Sequence, residues 1–198
     1  MGGVRVRFLG SGDAFGCGGR FQTCILVEAP ETRFLIDCGA SSLIAMRHFG
    51  VAPDSIDMVL LTHLHGDHFG GLPFFILEAQ LVSRRSRPLR IAGPPGTRVR
   101  LHAAKEVLFP GSATAERKFE TQVTELEPER PRELGPVTVT PYPARHFAGD
   151  PADHLRVEVA GRTVTYSGDT GWSEALIPAA RYADLQGEFA EDSLTIEL

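Results

Sequence analysis

Three imidazoles and one carboxylate fall within six positions in Thr62-His63-Leu64-His65-Gly66-Asp67-His68. Neutral imidazole and carboxylate are ligands that zinc takes, and manganese or iron accept the same set. The cluster follows Met58–Leu61, an apolar run of the kind expected for a strand covered on both faces. If the chain leaves that strand extended, alternation puts His63 and His65 on one side. Gly66 then permits the turn that brings Asp67 and His68 round to a second position. A lone histidine is ordinarily a surface or core residue. Three of the chain's seven within six positions, at the mouth of a buried strand, point instead to a metal site.

Two later positions join the pattern. His146 sits in Pro143-Ala144-Arg145-His146 and Asp169 in Tyr166-Ser167-Gly168-Asp169-Thr170-Gly171, each after a strand-like segment. An aspartate after Ser-Gly would, by itself, read as a turn former or helix cap. Together with the first cluster, these positions place ligands at the ends of several strands, as an active site on one rim of a sheet requires. His154 reads as an ordinary histidine at a strand start. His48 and His102 fall on helical segments and receive no role.

The elements that must position these residues are mostly legible. Val4, Val6 and Phe8 alternate with Arg5 and Arg7, the period-2 mark of a half-buried strand. A glycine-rich loop, Gly10 to Gly19, leads to strands at Cys24–Val27 and Arg33–Ile36, joined by a hairpin at Glu28 to Thr32. That loop reads as a structural turn, or as backbone approaching an anion beside the metal. Helices are expected at Ala40–Phe49, Phe69–Leu81, Thr97–Leu108 and Ser173–Ala180, the last capped by its serine. Further strands are expected at Leu89–Ala92, Val137–Thr140, Leu155–Val159 and Thr163–Tyr166, with Pro110–Lys118 as loop. The fold class is therefore α/β, a layered α+β domain spanning residues 1–198 as one unit.

Composition narrows the partners. Hydrophobic residues at 42% and charged residues at 23% are ordinary for a globular chain, and 198 residues can bury a sizeable core without disulfides. No apolar run is long enough to span a membrane, and the first residues lack a signal-peptide layout, so the expectation is cytoplasmic with no membrane partner. Cys17, Cys24 and Cys38 form no CxxC pair and read as buried small residues rather than a structural zinc site. A net charge of −5 argues against wholesale electrostatic binding of nucleic acid. The one basic cluster, Arg84, Arg85, Arg87 and Arg90, reads as a solvated loop, with a patch for an anionic substrate as the sharper alternative.

These motifs resemble the metallo-β-lactamase-fold hydrolase superfamily. Thr62 to His68 matches its His-x-His-x-Asp-His signature, Phe34-Leu-Ile-Asp37-Cys-Gly39 its first motif, His146 its third ligand motif and Ser167-Gly-Asp169-Thr170 its fourth. The opening Phe8-Leu-Gly-Ser-Gly-Asp-Ala14, with Gly18-Gly-Arg20, is most similar to the ribonuclease Z and phosphodiesterase branch. The resemblance covers Val4 to Pro178 and implies an αββα sandwich. It implies zinc, one or two ions, with one held by His63, His65 and His146. The second is held by Asp67 and His68, with Asp169 bridging both. A metal-bound hydroxide would attack the substrate, and Asp67 would act catalytically by shuttling a proton. Asp37 is placed to support the His63–His68 loop, or to form a strand-end turn.

The activity so implied is metal-dependent hydrolysis of a phosphodiester or related ester. Lactonase, thioesterase and β-lactamase chemistry remain open, because the same metal core serves them all. Only 22 residues separate His146 from Asp169, too few for a long substrate-gripping arm. A small anionic ester such as a cyclic nucleotide is thus expected ahead of a large RNA. The family pattern also carries a histidine well beyond Asp169, whereas here the chain ends 29 positions later and no histidine follows His154. The tail from Ala183 departs from the expected apolar strand. On this basis the fold is expected to lack its usual C-terminal portion, and uncovered sheet edge would favour a homo-oligomer. A metal-binding but catalytically weak, truncated or degenerate relative is the alternative reading.

Overall fold

The computed structural model describes residues 3–148, 151–187 and 195–198. Strands β1 (Arg5–Gly10), β2 (Cys24–Ala29) and β3 (Thr32–Ile36) pair antiparallel, β1 and β2 across the glycine-rich loop and β2 and β3 through the tight turn Pro30-Glu31. The sheet continues in parallel through β4 (Met58–Leu60), β5 (Leu89–Gly93) and β6 (Thr121–Glu125). Parallel pairing needs crossovers, and helices supply them. Helix α1 (Ser42–His48) precedes β4; α2 (Gly66–Phe69) and α3 (Leu72–Leu81) precede β5; α4 (Thr97–Leu108) precedes β6.

A second sheet is an antiparallel run of β7 (Arg132–Leu134), β8 (Val137–Pro143), β9 (Asp153–Val159) and β10 (Arg162–Tyr166). After α5 (Leu176–Ala180), β11 (Leu185–Gly187) adds to β10 in parallel. Finally β12 (Thr195–Glu197) returns to the outer edge of β1. The sheets run in the order β12-β1-β2-β3-β4-β5-β6 and β11-β10-β9-β8-β7.

Two apolar layers hold these parts together. Phe8, Ile25, Phe34 and Ile36 of the larger sheet meet Val139, Leu155, Val157 and Val164 of the smaller one. On the opposite face of the larger sheet, Leu26, Leu35, Val59 and Ile91 pack against Met46, Phe75, Ile76 and Leu101 of α1, α3 and α4. Burial on both faces is why β2 and β4 read as unbroken apolar runs. The outer face of the smaller sheet is tied to α5, where Arg156 Nη1 and Thr165 Oγ1 both donate to Ala179 O. The result is the expected αββα sandwich.

Several local expectations are corrected. The helix expected over Phe69–Leu81 is two helices, α2 and α3, broken at Gly70-Gly71. A Cβ at Gly71 would overlap Gly39 O and lie 2.9 Å from Cys38 O, so the break lets α3 start flush against the β3–α1 turn. Helix α5 starts at Leu176 rather than Ser173. The Ser173 hydroxyl donates to Pro143 O and accepts from Ala175 N, organising a turn before the helix. The polar strands β6 and β7 carry no apolar periodicity and were not foreseen. Nor were β11 and β12 in the tail: β12 pairs with β1, and Leu198 exchanges backbone bonds with Val4, so that edge of β1 is covered rather than open. Cys24 and Cys38 are buried as expected, whereas Cys17 is exposed on the glycine-rich loop. Arg85 is buried, not solvated; its guanidinium donates to Asp54, Arg87 O and Pro88 O, clamping the α3–β5 loop.

Candidate metal centre

The end of β4 aims the first cluster. Past Leu60 the chain leaves the strand and bends at Thr62 and His65 rather than continuing as regular extended structure, and α2 then carries Asp67 and His68 back over the same rim. Close packing fixes this path. A Cβ on Gly39 would overlap Asp67 O and Gln22 Cβ, while Cys38 N donates to His68 O at 2.6 Å. The loop after β8 delivers His146 and the loop after β10 delivers Asp169. These two loops are stitched together by Gly171 N to Arg145 O at 3.0 Å and Arg145 N to Thr170 Oγ1 at 3.0 Å. Gly168, at φ 58°, turns the Ser167-Gly168-Asp169 segment against the Thr62 side chain.

All six residues singled out in the sequence meet at this rim. His63, His65 and His146 form a nearly equilateral triangle, with ring centroids 4.8–4.9 Å apart. His65 Nδ1 and His146 Nε2 lie 3.0 Å apart, near the ~3.3 Å edge of a tetrahedron with zinc–nitrogen bonds of about 2.0–2.1 Å. His68, Asp169 and Asp67 form the adjoining group. His68 Nε2 is 3.2 Å from Asp169 Oδ1 and 3.6 Å from Asp67 Oδ2. Asp169 Oδ2 reaches to 3.9 Å from His146 Nε2, so this carboxylate touches both groups. Two sets, His63–His65–His146 and His63–His68–Asp169, each bring their ligand atoms within 4.8 Å of one another.

Asp37 organises the centre from behind. Held at φ 59° after β3, it accepts Thr62 N and Thr62 Oγ1, both at 2.8 Å, and His68 Nδ1–H at 2.6 Å. That hydrogen bond leaves His68 Nε2 facing Asp169. With its hydrogen given to Asp37, the Thr62 hydroxyl accepts from His63 Nδ1–H at 3.0 Å. His63 Nε2 is then a bare lone pair, and it is buried with no hydrogen-bond partner among the described residues. A buried acceptor without a donor is costly, and a cation on the triangle would satisfy it. The residues present therefore fit a metal.

Charge is unevenly spread. Burial, then the neighbouring His68 charge, pulls the His63 imidazole down to about 3 despite the attraction of Asp169. Burial also opposes charge on His68, but Asp37 and Asp169 outweigh it and push the imidazolium up to about 10. Burial would raise Asp169, yet its hydrogen bond and charge pairing with His68 bring it below the usual carboxylate value.

Sequence reasoning gave Thr62 no role, yet it is the hub that links Asp37, His63, Gly168 and, through its carbonyl, Asp153 N. Its position directly before the first histidine was the available signal. His154, read as ordinary, is fully buried and donates Nδ1–H to Ser167 O at 2.7 Å, bracing the segment before Asp169. His48 packs its ring on Phe21 and Phe49.

Two facing sheets flanked by helices, with a histidine–aspartate rim at their strand ends, define a metallo-β-lactamase-fold protein. Solved structures agree on that fold. Human tRNase Z, short form, superposes with a TM-score of 0.76 at 24% identity over 92% of this chain and 76% of that one. The metallo-β-lactamase-fold protein YhfI of Bacillus subtilis gives 0.75 at 22% identity, over 94% and 70%. Residues 4–188 match the family described as Anti-Pycsar protein Apyc1, and the chain belongs to that family. Among curated relatives, ribonuclease Z of Methanothermobacter thermautotrophicus is 33% identical over 72% of this chain, and that of Methanosarcina acetivorans 26% identical over 96%. The matches span 45% and 76% of those two proteins. Among the described residues, no helix is long and apolar enough to cross a membrane.

Proposed function

We propose that this chain is a metal-dependent phosphodiester hydrolase acting on a small anionic ester such as a cyclic nucleotide. The observation that carries the reading is the pair of adjoining groups His63–His65–His146 and His63–His68–Asp169, with Asp67 Oδ2 3.6 Å from His68 Nε2 and Asp169 Oδ2 3.9 Å from His146 Nε2. Zinc suits this donor set, and ions held there would acidify a water and clamp the phosphoryl oxygens of a displacement. The chain's own residues do the remainder. Asp37 and Thr62 orient the rings of His68 and His63, and Asp67, buried beside His68 Nε2, would pass a proton to or from the attacking water.

Names among the relatives support the bond type. Ribonuclease Z recurs, and a structure named as a diphosphatase of the PhnP family superposes with a TM-score of 0.66 at 12% identity, over 98% of each chain. A small substrate is favoured over a large RNA by the short separation of His146 and Asp169, 22 residues of which the β9–β10 hairpin takes up most, and by the net charge of −5.

The test is hydrolysis of bis(p-nitrophenyl) phosphate by metal-loaded protein, with metal counted per chain by elemental analysis. Turnover lost on chelation and in His65→Ala is expected. Protein that binds metal yet turns over neither this ester nor any cyclic nucleotide would overturn the reading, and would favour a catalytically weak relative.

A further inference from the structure

The basic cluster at the end of α3 takes no part in the metal centre. Arg85 and Arg87 are paired with Asp54 and Asp57. Arg84 differs from both. It stands at φ 52°, in the left-handed region that glycine adopts more cheaply, and makes no hydrogen bond or ion pair among the described residues. Its charged neighbours come from the loop between α4 and β6. Arg84, Arg117, Lys118 and Glu116 line one cavity of about 360 Å³, and Gln80 Nε2 ties α3 to the loop by donating to Glu116 O at 3.5 Å. Arg117 folds that loop, yet every acceptor it finds, Ala115 O, Ser112 O and Ser112 Oγ, is neutral. Lys118 has no ion pair among the described residues either. Carboxylates close by are engaged elsewhere: Asp54 by Arg85, Glu78 of α3 by Arg47 and Ser83, Glu106 of α4 by Gly111 N. Among the described lining residues, Glu116 alone is acidic. Burial and then the Arg117 charge hold the Lys105 ammonium below its ordinary value, so the uncompensated field extends to α4.

This cavity lies at the opposite end of the sheet from the metal centre. Helix α3 starts at the rim, against the β3–α1 turn, and its 10 residues carry the chain back by about 15 Å. The loops that close the cavity lead into Leu89 and Thr121, paired at the starts of β5 and β6, whereas the first metal ligands follow the end of β4. Alongside is a second hollow of about 530 Å³, which shares Gln80 and Leu81 with the first and is walled by Leu77, Leu108, Phe109 and Pro110. Leu81 is 61% and Leu108 46% exposed there, so apolar surface adjoins the positive cavity. We propose that the two hollows together form a binding site, separate from the metal centre, for a small molecule that joins a phosphate-type oxyanion to an apolar body. Arg84 and Lys118 pair with the oxyanion, and the Arg117 charge adds to the field that draws it in. The apolar body covers Leu81, Leu108 and Phe109. The inference is independent of the reaction carried out at the rim.

Phenylphosphonate is the probe, because its carbon–phosphorus bond is not one that ester hydrolysis breaks. Metal-loaded protein is titrated with it at constant ionic strength, and binding is read from the backbone amide resonances. Saturable shifts at Gln80, Leu81, Arg84 and Lys118 are expected, alongside any at the metal rim. Methylphosphonate keeps the charge and lacks the ring, so it should bind this site about tenfold more weakly. Benzyl alcohol, a ring without the charge, should give no saturable shift there. Arg84→Gly removes the cation and relieves the left-handed backbone, so it should fold at least as well while weakening phenylphosphonate about tenfold. Lys118→Gln, at an exposed position, should weaken it by a similar factor. Shifts confined to the metal rim overturn the proposal. So does equal binding of the two phosphonates, or an affinity unchanged in either variant. Shifts at Leu81 and Leu108 on simple dilution, with no ligand, would assign the apolar hollow to a second copy of the chain and overturn it as well.

Discussion

The two halves of the metal centre are built on opposite electrostatic plans. The triangle of His63, His65 and His146 is assembled from imidazoles, and its most buried member is held neutral, with His63 down to about 3. Beside it, His68 sits between Asp37 and Asp169 and is held charged, up to about 10. A cation can enter the first half without displacing a proton from His63. To use His68 Nε2, it must expel one. The difference teaches that neighbouring imidazoles on one rim need not be equivalent ligands: the carboxylates around each decide how much proton competition a metal faces.

The largest expected effect comes from removing the carboxylate that creates this asymmetry. Asp37→Asn keeps the shape but withdraws the charge from His68 and weakens the grip on Thr62, so hydrolysis should fall roughly 10–100-fold. Metal content should drop more at the second equivalent than at the first. Equal loss at both equivalents, read by elemental analysis and calorimetry, would break the comparison.

A smaller effect is stoichiometric. Adding zinc to metal-free protein in weak buffer at pH 7 should release about one proton from His68 as its half fills, and none from His63. An indicator dye or a buffer series in calorimetry reads this number. No proton release at any metal ratio would mean that His68 is not charged in the free protein.

The last test leaves the metal ligands and reads stability, through burial without a partner. Asp153 packs its N–H on Thr62 O, and desolvation alone pushes its carboxyl up to about 7. The unfolded chain loses this proton near pH 4 and the folded chain near pH 7. Stability from this group is therefore complete below about pH 4 and declines as pH rises to about 7, by at most ~1.4 kcal/mol per pH unit. Asp153→Asn should remove that decline, so its melting temperature should gain on the unmutated protein from pH 4 to pH 8. Parallel curves for the two proteins would show that Asp153 titrates normally. Asp169, whose charge is supported by His68, marks the contrast.

Much of this was legible from the chain alone. The apolar run at Met58–Leu61, the alternation at Val4–Phe8 and the three close histidines each carry their signal within a few residues, because strand pattern and ligand type are local properties. The sandwich followed from those strands together with the motif resemblance. The break at Gly70-Gly71 was not legible, because it is imposed by contacts with Cys38 and Gly39, about thirty positions away. Strands β6, β7, β11 and β12 were missed for a similar reason. They are polar or short, and only pairing with an already formed edge makes them strands.

The sequence by itself determined which side chains could hold a metal, since imidazole and carboxylate chemistry is written in residue type and spacing. Only the tertiary structure decided which of them stand together, which nitrogen of each ring is free, and which imidazole carries charge. Those properties depend on Asp37, Thr62 and Asp169, brought from three separate strand ends to one rim, where distances of 2.6–3.2 Å set hydrogen bonds and proton affinities. Ligand identity is a property of residues; ligand state is a property of their neighbours in space.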